Sequence, residues 1–246
     1  MNDKVLLTEI QDQVAILTLN RPDVMNSFNF ELLYALREAI ENIRFNTDAR
    51  VLIITGAGSK AFCSGADLKE RITLTPQEVK KFIYTTRNLF TNIAYLNKPV
   101  IAAINGVALG GGTELLLACD IRIAATTATL GLTETRLAII PGAGGTQRLP
   151  RLIGAGKAKE LIFTGRRVDA KEALEINLVN KICESENLMD EAKKMAAMIC
   201  ECGPIAIEQA KYAINAGLET DLLKGIIQLV EVKGVADHVD DRGGLR

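Results

Sequence analysis

Two glycine-containing segments and a glutamate have the residue types and spacing needed to polarise a carbonyl group and move a proton. The first segment, Gly110 to Glu114, follows an apolar run that ends at Ile104 and opens a second apolar run. Consecutive glycines let a backbone approach a ligand closely, and a helix N-terminus adds free N–H groups and partial positive charge. The pattern therefore predicts a buried strand, a tight glycine turn and a helix beginning near Gly111, with Glu114 in its first turn.

The second segment is the loop-like stretch Ser64-Gly65-Ala66-Asp67, which also follows an apolar strand. If the two strands are neighbours in one sheet, each segment offers a backbone N–H at the same edge, and two such donors around one oxygen form an oxyanion hole. Glu134, which lies one helix and two strands beyond Glu114, supplies a second carboxylate. Two glutamates beside an oxyanion hole suit water activation and proton transfer near a polarised carbonyl, with the pKa of each shifted by the other.

Simpler interpretations of these residues stay open on composition and spacing alone. Glu114 can stabilise a helix through its charge at the N-terminus, which is a common role for an acid there. Glu134 can be a solvated surface acid, and the glycines can serve only the close packing of a helix against a strand. From these patterns alone, the sequence indicates an α/β enzyme or binding protein with a carbonyl-type site.

The residue inventory excludes several other kinds of site. The only histidine is His238, so a serine or cysteine hydrolase, or a histidine-rich metal site, would depend on that one residue. The GxSxG, GxGxxG and P-loop motifs are absent. The five cysteines include no CxxC pair and are typical of reduced thiols in a cytoplasmic protein. If the protein is an enzyme, we therefore expect it to work with carboxylates, backbone N–H groups, or both.

Composition and charge are typical of a soluble globular protein. Of the 246 residues, 48% are hydrophobic and 24% are charged, and 29 basic residues balance 30 acidic ones. This balance gives no reason to expect binding to nucleic acid or to a membrane surface. The longest apolar tract, 99–125, is interrupted by polar and charged residues such as Asn105 and Glu114, so it cannot span a membrane. The first residues lack the basic-then-apolar order of a signal peptide.

The elements that must position the candidate residues follow from hydrophobic periodicity. Strand–strand–helix units are predicted over the first two thirds of the chain, and helices over the last third. The predicted strands are 5–10, 14–19, 51–54, 99–104, 121–125, 129–132 and, as the one strand of the last third, 178–183. The predicted helices are 30–45, 76–96, 111–119, 157–163, 169–176, 187–201, 204–216 and 219–232. The stretch 61–70 is predicted to be a binding loop, and 139–146 a second glycine-rich turn that enters a helix.

Three long motifs, in the expected order, resemble the enoyl-CoA hydratase (crotonase) family. They are Lys98–Gly106 continuing through Gly110–Asp120, Ala61–Glu70, and Gly131–Glu134 continuing through Pro141–Leu149. The resemblance covers roughly residues 5–232. It implies an α/β fold, a crotonase-like (ClpP-like) spiral of repeated ββα units. Residues 1–195 would form the core with CoA and the active site, and residues 196–246 a C-terminal helical region that builds trimers.

The resemblance also implies a role for each candidate residue. The family's oxyanion donors correspond to the N–H groups of Ala66 and Gly111, and its two catalytic acids correspond to Glu114 and Glu134. The presence of both acids favours hydration of a 2-enoyl-CoA. Glu114 would deprotonate the water that attacks C3 and Glu134 would supply the proton to C2, although such a pair shares its protons. CoA is then part of the substrate, and no cofactor or metal is needed.

The resemblance further implies where CoA and neighbouring subunits bind. The CoA contacts correspond to Val24, Met25, Ser64, Ala66, Asp67, Leu68, Lys69 and Gly111. Asp23 stands where many relatives carry a lysine near the nucleotide. The segment 240–246 departs from the family's C-terminal segment and stops before its expected last residues. Besides an acyl-CoA thioester, the expected partners are copies of the same chain, in a homotrimer or a dimer of trimers.

Acyl specificity stays open at this level. The segment 131–140 resembles the methylglutaconyl-CoA hydratase branch, and a short-chain enoyl-CoA or 3-hydroxybutyryl-CoA substrate fits equally well, in fatty-acid or branched-chain amino-acid degradation. Two other classes are an RNA-binding relative and an inactive acyl-CoA binder, the latter favoured only by the atypical C-terminus. The predicted helix 30–45 has a mixed face rather than a basic stripe, which disfavours RNA. Its charged residues are Glu31, Arg37, Glu38, Glu41 and Arg44.

Overall fold

The computed structural model of the protein describes residues 4–228, where the chain alternates short strands with helices. The strands are β1 (Leu6–Gln11), β2 (Val14–Leu19), β3 (Val51–Gly56), β4 (Ala61–Cys63), β5 (Val100–Ile104), β6 (Val107–Leu109), β7 (Ile121–Ala125), β8 (Thr129–Gly131), β9 (Val168–Asp169) and β10 (Lys181–Cys183). The helices are α1 (Phe30–Phe45), α2 (Leu68–Arg71), α3 (Pro76–Ala94), α4 (Gly111–Leu117), α5 (Gly145–Ile153), α6 (Ala155–Thr164), α7 (Ala170–Glu175), α8 (Leu188–Cys200), α9 (Pro204–Gly217) and α10 (Leu222–Gln228). The predictions on His238, on the segment 240–246 and on the end of helix 219–232 lie outside the described residues.

The strands form two sheets that the chain visits alternately. The six-stranded sheet has the order β1-β2-β3-β5-β7-β10, in which only the β1–β2 hairpin is antiparallel. The four-stranded sheet has the order β4-β6-β8-β9, with β4, β6 and β8 parallel and β9 antiparallel to β8. The chain passes from β3 to β4, from β5 to β6 and from β7 to β8, and each pair leads into helical structure. This is the predicted spiral of ββα units.

The central strands of the larger sheet, β2, β3, β5 and β7, are buried on both faces, which explains why they are continuously apolar, whereas the edge strand β1 is largely exposed. Successive side chains of a strand point to opposite faces. In β3, Leu52 and Ile54 join the main core, whereas Val51 and Ile53 join a second core. The second core is closed by α8, through residues that include Ala192. The spiral is therefore a layered structure in which α8 covers the outer face of the larger sheet.

Helices α1 and α3 form one side of the main core and have strong start signals. The Asn29 side chain caps α1 by accepting from the Leu32 N–H at 2.9 Å. Helix α3 begins with Pro76 at its first position and a reciprocal capping box between Thr75 and Glu78. The five apolar positions that predicted α1 are all buried, and each stabilises the fold by roughly 1.5–3 kcal/mol. They are Leu32, Leu33, Leu36, Ile40 and Ile43.

Three local predictions are wrong, each because a strand of two or three residues is too short to show alternation. The predicted loop 61–70 contains β4 and α2. The predicted turn between β5 and α4 contains β6, which belongs to the smaller sheet. The predicted strand 178–183, which forms as β10, is not the only strand of the last third, because β9 precedes it. These short strands exist because they pair with one another, and pairing is a tertiary property.

Candidate active site

The three segments that carry the candidate residues follow three adjacent strands of the smaller sheet. Ser64 comes directly after β4, Gly110 directly after β6, and Glu134 three residues after the end of β8. Strand β6 pairs with β4 on one side and with β8 on the other, always in parallel. Because the carboxyl ends of parallel strands meet at one edge of a sheet, residues far apart in sequence are brought together there.

A single cleft at this edge brings together all the residues that the sequence predicted. Its volume is about 1310 Å³, and α3 and the segment 137–144 complete its walls. The predicted residues that line it are Val24, Met25, Ser64, Ala66, Asp67, Leu68, Lys69, Gly111, Glu114 and Glu134. The predicted acids, amides and CoA contacts thus share one surface.

Glu114 is a buried acid held by two backbone N–H groups. It lies in the first turn of α4, and only 4% of its surface is exposed. Its Oε1 atom accepts hydrogen bonds from the N–H of Ala143 at 2.7 Å and from the N–H of Gly145 at 2.8 Å. Burial raises the pKa of Glu114, while these two hydrogen bonds favour the ionised form and oppose that rise. The second glycine-rich turn therefore fixes the orientation of this carboxylate.

Two arginines hold that turn through its carbonyl groups. The Nε of Arg87 donates to the Gly142 carbonyl at 3.2 Å, and Nη1 of Arg148 donates to the Ala143 carbonyl at 3.0 Å. The Gly142 carbonyl and the Ala143 N–H belong to one peptide group. The bond from Arg87 therefore polarises the N–H that binds Glu114. Both guanidinium charges also act to lower the pKa of Glu114.

Glu134 occupies a different environment. It begins a short 3-10 turn, and its buried Oε2 atom has no hydrogen-bond partner in the described part of the chain. Burial, followed by the nearby charge of Glu114, raises the pKa of Glu134 to about 7. Gly110 leaves room for this carboxyl, because a Cβ there would lie 3.3 Å from Glu134 Oε1 and the φ of Gly110 is +51°. One acid is thus held by N–H donors, and the other favours a bound proton near neutral pH.

The backbone N–H groups of Ala66 and Gly111 have no acceptor among residues 4–228. Phe28 pairs with the loop in a parallel bridge: its N–H donates to the Gly65 carbonyl at 2.7 Å, and the Asp67 N–H donates to the Phe28 carbonyl at 2.8 Å. The N–H of Ala66 takes no part in this bridge. Gly111 is the first residue of α4, whose N–H has no partner within the helix. A Cβ on Gly65 would lie 3.1 Å from the Gly111 nitrogen, so the two segments touch.

The other wall of the loop is fixed by residues that the sequence analysis did not single out. Arg21 forms an ion pair with Asp67 (Nη2 to Oδ2, 3.0 Å), and Asp67 also caps α2. The Asp67 carboxylate is thus occupied, and so is its backbone, because its carbonyl accepts from the Arg71 N–H at 2.8 Å while its N–H binds the Phe28 carbonyl. The Ser64 N–H donates to the Met25 carbonyl at 3.0 Å. The fully buried Asn26 donates to the carbonyls of residues 57 and 61. The partners Arg21 and Asp67 are 46 positions apart in the chain, so the role of Arg21 had no local signal in the sequence.

The side chains and helices of residues 4–228 also bear on the possibility of a metal site or a membrane span. Within that range, no group of three or more histidine, cysteine, aspartate or glutamate side chains is placed to hold a metal ion. No helix of the same range combines the length and the apolar character needed to cross a membrane. All five cysteines fall inside the range, and each is a free thiol.

Comparison with known proteins identifies the family. Residues 9–242 match the family described as enoyl-CoA hydratase/isomerase. The chain belongs to this family. In sequence, it is 55% identical over 249 residues to the putative enoyl-CoA hydratase/isomerase YngF of Bacillus subtilis (strain 168), a match that covers 100% of this chain and 95% of that protein. Membership of the enoyl-CoA hydratase/isomerase family confirms that the protein is an enzyme.

Further relatives of this enoyl-CoA hydratase/isomerase carry more specific names. The short-chain-enoyl-CoA hydratase of Clostridium acetobutylicum is 44% identical over 217 residues, which cover 88% of this chain and 83% of that one. The mitochondrial methylglutaconyl-CoA hydratase of Homo sapiens is 45% identical over 224 residues, covering 89% and 66% respectively. The crystal structure of enoyl-CoA hydratase from Bacillus anthracis superposes with a TM-score of 0.94 at 48% identity, covering 97% of this chain and 93% of that chain. The crotonase-like fold is thereby confirmed.

Proposed function

We propose that this enzyme adds water reversibly across the 2,3 double bond of a short-chain 2-enoyl-CoA to give a 3-hydroxyacyl-CoA. The observation that carries the proposal is the placement of two buried acids in one cleft with different environments. Glu114 is held by two N–H donors, whereas the pKa of Glu134 is raised to about 7. Hydration needs one group that takes a proton from water and one that gives a proton to carbon, and these environments divide the two tasks.

The proposed reaction uses each group once. The thioester oxygen accepts from the N–H groups of Ala66 and Gly111. Glu114 takes a proton from water as the water oxygen bonds to C3, and the electrons of the double bond move onto the thioester as an enolate. Glu134 then gives its proton to C2. The two N–H groups stabilise the developing negative charge, and losing one such donor typically costs about 3–4 kcal/mol of transition-state stabilisation.

We infer that the CoA part of the substrate lies along the loop 64–69 and the neighbouring residues Val24 and Met25. The support is their common position on the cleft, next to the two proposed oxyanion donors. Lys69 and Arg71 border the same cleft and bring positive charge to it, whereas Asp23 brings negative charge. We therefore assign phosphate attraction to the α2 side of the cleft rather than to position 23.

We also propose that the C-terminal helices join copies of the chain into a homotrimer or a dimer of trimers. Helix α9 contains no buried residue, although it is rich in apolar side chains. The segment from α9 through α10 exposes Ile205, Tyr212, Ile214, Leu218, Leu222, Leu223 and Ile226. Helices α9 and α10 pack against each other, and many exposed apolar side chains on neighbouring helices are typical of an interface between subunits. The C-terminal region predicted from residue 196 includes the end of α8, but α8 packs on the larger sheet. We therefore assign the proposed assembly surface to α9 and α10.

The substitution Glu114→Gln tests the reaction directly. Glutamine keeps an oxygen that accepts from the Ala143 and Gly145 N–H groups, but it cannot take a proton from water. We expect kcat for crotonyl-CoA hydration to fall roughly 10²- to 10⁴-fold with little change in KM. The loss of the ultraviolet absorbance of the enoyl thioester measures the rate.

Glu175→Gln is the matched control, because this exposed glutamate of α7 is remote from the cleft lining. Turnover by Glu114→Gln close to that of the control would contradict the role given to Glu114. If the wild type hydrates none of a panel of short 2-enoyl-CoAs but binds them, the protein is an acyl-CoA binder and the proposed reaction is wrong.

A further inference from the structure

Arg148 is a half-buried cation that lies beside the glycine-rich turn holding Glu114. It belongs to α5, and its Nη1 donates to the Ala143 carbonyl at 3.0 Å. A Cβ on Gly144 would lie 3.1 Å from Arg148 Cζ, so the guanidinium group fills the space next to the turn. Arg148 does not line the cleft that residues 4–228 form. A substrate in the cleft is therefore not its partner.

This guanidinium group is not matched by a carboxylate in direct contact. Over residues 4–228, no carboxylate oxygen lies within 4.0 Å of its nitrogens. An arginine stays charged in a protein, and a charge taken out of water is costly unless an opposite charge is near. Burial lowers the pKa of Arg148, and the carboxylate that acts against this effect is Glu114.

Glu114 and Arg148 bind the same short segment of backbone from its two kinds of polar group. The carboxylate accepts from the N–H groups of Ala143 and Gly145, and the guanidinium group donates to the Ala143 carbonyl, which lies between them in the chain. The turn thus holds a buried anion and a half-buried cation near each other without direct contact. Each charge offsets part of the cost of burying the other.

Two further charged groups act at this point, and they differ from Arg148 in their surroundings. Arg87, on α3, also acts to lower the pKa of Glu114, but it is an exposed residue of the cleft, where water and salt screen its charge. Glu134, in the turn after β8, has a pKa raised by burial and by the charge of Glu114. The least screened positive charge that acts on Glu114 is therefore that of Arg148.

We propose that Arg148 is a positioning residue that supplies the counter-charge of Glu114, so that Glu114 remains ionised and able to take a proton from water below neutral pH. This inference rests on the proposed hydration, because it concerns the state of the base in that reaction. Without the charge of Arg148, the carboxyl would keep its two N–H donors but would bind a proton more readily. Arg148 thus widens the pH range over which Glu114 is ionised while Glu134 holds its proton.

The test is the pH dependence of kcat/KM for crotonyl-CoA, which reports the apparent pKa values of the acid pair in the free enzyme. In the proposed reaction, the acid limb follows ionisation of Glu114 and the basic limb follows loss of the proton from Glu134. Arg148→Gln keeps an amide that can donate to the Ala143 carbonyl but removes the charge. Its acid limb should move to higher pH by roughly 0.5–1 pH unit, and its basic limb should move much less, so that the profile narrows.

Arg148→Lys separates the charge from the geometry of the hydrogen bond. Lysine keeps the positive charge but cannot reproduce the planar fork of arginine. We expect its acid limb to coincide with that of the wild type, even if its maximal kcat/KM is lower. Arg151→Gln, which removes the same charge from an exposed position of α5, should leave the whole profile unchanged. Arg87→Gln should move the acid limb less than Arg148→Gln does.

The position of the acid limb decides between a charge effect and a purely structural role. An acid limb that stays in place in Arg148→Gln, whatever happens to the maximal rate, would show that Arg148 only holds the turn. If Arg148→Gln does not fold, Arg148→Lys decides: a limb moved to higher pH contradicts the proposal, and an unmoved limb supports it. A wild type that hydrates no short 2-enoyl-CoA would instead overturn the proposed reaction itself.

Discussion

Glu134 is the residue at which the proposed chemistry and the stability of the fold are most directly opposed. Its Oε2 atom is buried without a partner in the described structure, and burial and the charge of Glu114 raise its pKa to about 7. In an unfolded chain a glutamate titrates near about 4.3. Between these two values the folded protein holds a proton that the unfolded chain has lost. Stability therefore falls as pH rises through this window.

The substitution Glu134→Gln should remove this penalty. Glutamine resembles the protonated acid and stays neutral, so the variant should be more stable than the wild type at pH 8, by on the order of 1–3 kcal/mol. At pH 5 the gain should be much smaller. That pH lies less than about one unit above the pKa of a glutamate in the unfolded chain, so ionisation of the carboxyl stabilises the unfolded chain only slightly there. Urea unfolding at a fixed protein concentration measures both differences. A gain that is the same at both pH values would show that the carboxyl does not titrate in this window.

The identity of the two acids was accessible from sequence, but their environments were not. Glu114 and Glu134 stand in motifs whose spacing and resemblance single them out. The partners of Glu114 are backbone N–H groups 29 and 31 positions away, and a backbone group has no side-chain signature. Arg87 likewise looks like any exposed charge of an amphipathic helix until α3 is packed beside Gly142.

At the scale of elements, Gly112 fixes how closely α4 approaches the smaller sheet. A Cβ on Gly112 would lie 2.0 Å from the carbonyl oxygen of Cys63 in β4 and 2.8 Å from its carbon. Both are backbone atoms of a buried strand, so neither can rotate aside as a side chain would. Because Gly112 has no side chain, α4 can lie directly against β4. This close approach positions Gly111 and Glu114 beside the loop that follows β4.

We expect Gly112→Ala to lower the free energy of unfolding by about 3 kcal/mol or more, the upper range for overpacking in a core. The matched control is Gly156→Ala in α6, where an added Cβ meets no atom within 4 Å. That variant should be neutral or stabilised by about 0.5–1 kcal/mol, because alanine reduces the freedom of the unfolded chain. Thermal and urea unfolding compare the two, and similar midpoints would contradict the packing argument.

The elements differ in how far their sequences define them. Helix α1 has the bounds that were predicted, because a capping asparagine and five apolar positions at helical spacing specify it locally. Strands β4, β6 and β9 have three residues or fewer, and no periodicity can be detected over that length. They are defined by their partners, so three of the four strands of the smaller sheet, which aligns the site, could not be predicted from sequence patterns, whereas β8 was predicted.

At the scale of the whole molecule, the exposed apolar residues of α9 and α10 provide a test of assembly. We expect the wild-type protein to have three or six times the mass of one chain by light scattering after gel filtration. Leu218→Glu should shift the mass towards one chain, because it places a charge in the apolar surface proposed as the interface. Lys171→Gln, at an exposed position of α7, lowers the net charge by the same amount as Leu218→Glu and is the control. A wild type that has the mass of one chain would contradict the proposed assembly.

The two amides of Ala66 and Gly111 have a consequence for how this chain can change under mutation. A peptide N–H is present whichever amino acid occupies the position, with the exception of proline. The two amides proposed to polarise the thioester are therefore kept as long as the fold is kept. The two carboxylates proposed to transfer protons are lost when residue 114 or residue 134 is substituted. In the proposed reaction, loss of either acid would greatly slow hydration and still leave the two amides that would polarise a CoA thioester. Such a protein would be a starting point from which new side chains could select a different fate for the enolate.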